Sequence, residues 1–106
     1  MSYDVALLVD TGGEEPTEVT WRNHTSNTSR MWRQAGCDIA DFDGKPATEF
    51  HAALTVAIQA ISSDPLAYSD FEPENRWGTV TTTLAFLRQL QADCAAHPEA
   101  VVEVSR

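Results

Sequence analysis

Between Val19 and Cys37 the chain carries no aspartate or glutamate, yet Arg22, Arg30 and Arg33 all fall there. The remaining residues hold all sixteen acids against four bases, in a 106-residue chain of formal net charge −9. A basic window in an acidic chain is a natural place to hold an anion. Arginine offers a planar fork that grips phosphate or carboxylate through two bonds. Among these arginines stand Asn23, Thr25, Asn27 and Thr28, whose side chains can read hydroxyls or a base edge. Trp32 can stack on a purine. So can Trp77 farther along, where Arg76 adds a charge and Gly78 lets a backbone or ligand approach closely. The expected ligand-binding set is therefore Arg22, Asn23, Thr25, Asn27, Thr28, Arg30, Trp32, Arg33, Trp77 and Gly78. The same residues also read as architecture. Asn and Thr/Ser runs before a helix cap it, tryptophan fills cores, and Arg30 and Arg33 have many acids to pair with.

Catalytic and metal patterns are weaker. His24, His51 and His97 are scattered, without the i, i+4 spacing of a zinc-binding helix. Thr28 and Ser29 lie near His24, but a nucleophile needs both a base and a group that orients the base. The run Asp38-Ile39-Ala40-Asp41-Phe42-Asp43-Gly44 hints at a calcium loop and then departs from it, because Ile39 stands where a carboxylate is needed and Glu49 misses the closing position. Cys37 follows a helix rather than opening one, and Cys94 falls on an apolar helix face. Binding is favoured over catalysis, with no catalytic residue, metal ligand or cofactor expected. The sequons Asn23-His24-Thr25 and Asn27-Thr28-Ser29 read as fortuitous in a chain without secretory character.

The elements that must position these residues follow from pattern. Tyr3 to Asp10 is a β-branched and aliphatic run, and Gly12-Gly13 turns it into a second strand from about Thr17 to Arg22. Alternation would place Val19 and Trp21 on one face of that strand, with Glu18, Thr20 and Arg22 on the other. A short helix from about Thr28 to Ala35 follows, ended by Gly36, and then an acidic loop with a turn at Asp43-Gly44. Phe50, Leu54, Ala57, Ile58 and Ile61 form one apolar stripe, predicting a helix over Ala47–Ile61. Pro65 stops it, and a helical turn near Leu66–Asp70 precedes a second long helix over Gly78–Ala96. Ala100 to Ser105 alternates as a last strand, pairing with the first, whose apolar residues on both faces suit the centre of a sheet. The expectation is one domain over residues 1–106 of α+β class: a small antiparallel sheet of about three strands, element order β-β-α-α-α-β, with helices packed on one face.

Composition narrows the partners. A strongly acidic chain argues against nucleic acid tracked by phosphate contacts. No apolar run approaches the ~18 residues of a membrane span, and Met1-Ser2-Tyr3 has no signal-peptide character, so no membrane is expected. Two cysteines without C-x-x-C spacing fit a reduced compartment, the cytoplasm.

The runs Asn23-His24-Thr25-Ser26-Asn27, Met31-Trp32, Asn75-x-Trp77-Gly78 and Pro98 to Arg106 resemble a family of small uncharacterised phage-associated proteins, from actinobacterial phages and their bacterial relatives. His24 departs from the apolar or aromatic residue of that pattern. The resemblance implies an accessory role in the cytoplasm of the infected cell, where two kinds of small protein recur. The first expectation is an anti-defence sponge for a nucleotide-derived immune signal, a homo-oligomer with sites at subunit boundaries. The alternative is an acidic interaction protein that inhibits a basic host protein, drawn to it by long-range charge.

Overall fold

The computed structural model describes residues 2–75 and 78–106. Strand β1 runs over Ser2–Val9, β2 over Thr17–Thr25 and β3 over Val101–Ser105. They form one antiparallel sheet in the order β2-β1-β3, so the most apolar strand is the central one. Alternation along β1 sends Tyr3, Val5 and Leu7 to one face, where all are buried. Val102 and Val104 join them from β3 through register pairs with Leu7 and Val5.

The helices cover that face. A 3-10 turn over Ser26–Thr28 leads into α1, Ser29–Gln34. Gly36 then turns the chain at φ +101°, a conformation glycine adopts without strain and a frequent way to end a helix. Helix α2 spans Ala47–Ser63 and buries Phe50, Leu54, Ala57 and Ile61, the expected stripe, with Ile58 half-buried at its margin. Asp64 accepts a hydrogen bond from the Ala67 N–H and opens the short α3, Pro65–Ser69. Helix α4 spans Val80–Ala96 and packs on α2 and β2. It starts two residues later than periodicity suggests because a capping box marks the boundary. The Thr79 hydroxyl accepts from the Thr82 N–H at 3.1 Å, while the Thr82 hydroxyl accepts from the Thr79 N–H at 2.8 Å. The result is the expected α+β architecture.

Two details of the sheet are new. The acidic loop guards the outer edge of β3. Gly44 N–H donates to the Val102 carbonyl, Val102 N–H donates to the Lys45 carbonyl, and Val104 N–H donates to the Asp43 carboxylate, all within 2.9 Å. An edge so covered offers no ladder to a stranger. On β2, the register slips between Leu7 and Leu8, which pair with Thr20 and Glu18 and leave Val19 as the extra residue of a bulge. The bulge carries Glu18 to Leu8's face of the sheet, the opposite one from Arg22. This corrects the simple alternation.

Candidate functional site

The arginines of the basic window do not converge. Arg22 pairs in register with Val5, on the helix-covered face, and reaches α4. Its Nε and Nη2 donate to Asp93 Oδ2 and Oδ1, each at 2.9 Å. Asp93 is 7% exposed, and its hydrogen bond raises the Arg22 pKa above the ordinary value. Arg22 is thus a brace between β2 and α4. Arg30 lays its guanidinium over the Phe71 ring, 5.5 Å from the centroid. Arg33 donates from Nη2 to the Ser29 hydroxyl at 3.0 Å.

The polar residues disperse as well. Asn23 lies across from Asp4 on the open face of the sheet and donates to its carboxylate at 2.6 Å. Thr25 accepts from the Asn27 N–H and so caps the 3-10 turn, while Asn27 itself is exposed. Thr28 and Trp32 have no exposed surface, which removes both from any ligand. Tyr3 meets Trp32 edge-on at 5.1 Å, with the rings 81° apart, so the tryptophan is core. Gly78 does permit a close approach, but to Thr25 and Thr28 rather than to a ligand. At φ +109°, a Cβ there would sit 2.5 Å from the Thr28 methyl and 2.8 Å from the Thr25 methyl. Trp77 and its neighbour Arg76 lie outside the described residues.

His24 is half-buried. Its ring stacks on Phe86 at 4.9 Å and its Nε2 hydrogen-bonds the Thr83 hydroxyl at 3.3 Å. Desolvation lowers its pKa, which favours the neutral ring. An aromatic plug describes it better than an acid–base group.

Near it, the Thr28 hydroxyl and the Trp32 indole N–H are buried with no hydrogen-bond partner among the described residues. Such a group forfeits its hydration for nothing. Thr28→Val, close in shape and free of the hydroxyl, should raise stability by about 1 kcal/mol in urea unfolding. A loss of that size would show that the hydroxyl has a partner in solution.

What the fold does assemble is a cleft at one end of the sheet, about 480 Å³, lined by Ser2, Tyr3, Ser26, Ser29 and Arg106. The register explains the meeting. Ser2 pairs with Thr25, next to Ser26, and Asp4 pairs with Ser105, next to Arg106. Three strand ends and the 3-10 turn therefore share one corner. Three serines and Arg106 thus line one space, and Arg33 is fastened to one of those serines. Of these residues, only Arg33 belongs to the set expected from sequence. The signal that could have found the others was the antiparallel pairing of first and last strands, which brings residue 106 beside residues 2 and 3.

A second, smaller hollow of about 250 Å³ lies among Thr48, His51, Cys94, Ala95 and Pro98. Burial first, then the nearby Asp93, pushes the Cys94 thiol up to about 11. Burial, with Asp38 and Asp41 adding to it, raises Cys37 to about 12. Neither thiol is an activated nucleophile. Among the described residues no three His, Cys, Asp or Glu side chains gather as metal ligands would, and no described helix is long and apolar enough to cross a membrane. The serine and arginine cleft offers donors and positive charge, the chemistry of holding an oxyanion. No protein-family model, curated protein or solved structure matches this chain, so the functional reading stands on that geometry.

Proposed function

We propose that this protein is a non-enzymatic binder of a small anionic ligand, held by its oxyanion group in the cleft at the sheet end. The observation that supports this reading is the meeting of Ser2, Ser26, Ser29 and Arg106 around about 480 Å³, with Arg33 tied to Ser29. That volume is in the range of small-molecule sites. Guanidinium forks and hydroxyls are the donors a phosphate needs. In the phage setting implied by the resemblance, the ligand is nucleotide-derived and is sequestered rather than turned over.

The test is a thermal-shift series with nucleoside monophosphates, diphosphates, cyclic nucleotides and ADP-ribose. A ligand at about 100 times its dissociation constant adds roughly 2.7 kcal/mol of stability. The double variant Arg33→Glu/Arg106→Glu should abolish that shift while leaving the unliganded melting temperature nearly unchanged, since neither guanidinium is buried. An undiminished shift in the variant removes the cleft from the binding site. Chromatography of the recovered ligand distinguishes sequestration from turnover.

A further inference from the structure

The described helices pack on the Val5 and Leu7 side of the sheet, and the other side holds exposed residues of all three strands. The register sorts its residues. Asp4, Asn23 and Ser105 form one row across the strands, Ala6, Trp21 and Glu103 the next, and Leu8, Glu18 and Val101 the third. Trp21 stands in the middle row, 55% exposed, with Val101 at 44% and the bulge residue Val19 at 37%. Ala6, the register partner of Trp21, is buried although no described helix covers that side. An open indole with aliphatic neighbours is the composition of an interface centre rather than of an ordinary surface.

The charges around it carry one sign. By register this face holds Asp4, Glu18 and Glu103, and neither a lysine nor an arginine. The sign decides among occupants. A second copy docked face to face would bury each carboxylate set against its own kind with no base between them. Anionic lipid and nucleic acid would be repelled. A segment presenting arginine or lysine between apolar residues meets both features. Its cation can lie over the Trp21 ring and bond the flanking Glu103 or Glu18 carboxylate, while its apolar residues cover Leu8 and Val101.

We propose that the open sheet face, centred on Trp21 and rimmed by Asp4, Glu18 and Glu103, docks a basic amphipathic segment of a partner protein. The surface is separate from the cleft at the sheet end and independent of the ligand reading. The overall charge of −9 would steer such a partner in and make association sensitive to salt.

The experiment is a titration of the whole chain with a synthetic peptide of alternating arginine and leucine, and with its glutamate-for-arginine counterpart, followed through the indole N–H resonances. The arginine peptide should bind at low salt, shift the Trp21 indole resonance and be released by high salt. Trp21→Ala and Glu103→Lys should each weaken it by about tenfold, with the fold intact by circular dichroism. Arg33→Glu/Arg106→Glu, which makes the chain more acidic, should strengthen this binding or leave it intact rather than weaken it, so failure here and failure of the ligand reading are told apart. Equal binding of the glutamate peptide, an unmoved Trp21 resonance or unaffected variants would each overturn the proposal. So would sedimentation of the free protein as a dimer that Trp21→Asp dissociates, which would assign the face to a second copy.

Discussion

Gly78→Ala should destabilise the protein by about 3 kcal/mol, lowering its melting temperature by roughly 10 °C or more. Two costs add. The backbone at residue 78 has φ +109°, where a residue with a Cβ is strained, at roughly 1–2 kcal/mol. The added methyl would also meet the Thr28 and Thr25 methyls at 2.5 and 2.8 Å, inside contact distance. Thr28 is fully buried and has little room to retreat, and overpacking of this kind costs about 1–3 kcal/mol. Urea or thermal unfolding measures the sum. A variant with unchanged stability but lost nucleotide binding would return Gly78 to the ligand, against the packing role described above.

The second large effect is asymmetric. Arg22→Ala should cost about 2–3 kcal/mol, whereas Asp93→Ala should cost about 1 kcal/mol, although both delete the same pair of hydrogen bonds. The difference lies in what each leaves behind. Without Arg22, the Asp93 carboxylate remains on the buried side of α4, its side chain only 9% exposed. Without Asp93, the Arg22 guanidinium, on a side chain already 39% exposed, can turn toward water. The double variant should therefore resemble Asp93→Ala rather than the sum of the two. Equal losses from both single variants would mean that the carboxylate finds other solvation. Strong loss of ligand binding in a well-folded Arg22→Ala protein would contradict the structural role given to it here.

These residues also show what the sequence reveals and what it hides. Helix α2 is legible because its apolar stripe has one period and its partners are simply other apolar residues. Gly36 is legible because a glycine after a short helical run has one common use. The strand order follows from β1 being apolar on both faces. The bulge at Val19 leaves no such trace, since Glu18-Val19-Thr20-Trp21 alternates as well as any regular strand. Its presence depends on how β2 must twist against β1. Arg22 and Asp93 are separated by 71 positions, and nothing local joins them. The basic window looks like one site only along the chain. In space, alternation sends Arg22 and Asn23 to opposite faces of the sheet, and Arg30 is drawn over the Phe71 ring while Arg33 bonds back to Ser29. Trp32 is a tryptophan in a polar neighbourhood by sequence, and its burial depends on Tyr3 and Phe86 arriving from distant elements. The serine and arginine cleft is assembled from three strand ends and a turn, so only the correct sheet makes it visible.

The guarded edge of β3 and its pairing with β1 have a mechanical consequence. Residues 4 and 105 are register partners on antiparallel neighbours, so the chain enters and leaves the sheet at the same end. Tension applied through residues 2 and 105 would load the β1–β3 hydrogen bonds one after another, as in opening a zipper, instead of all together in shear. The sheet resists strangers at that edge through the Asp43–Lys45 strap, yet it yields readily to a pull that separates residues 2 and 105. A pull transmitted through residues 2 and 105 therefore begins at the corner where the serine and arginine cleft lies, and the cleft would come apart first.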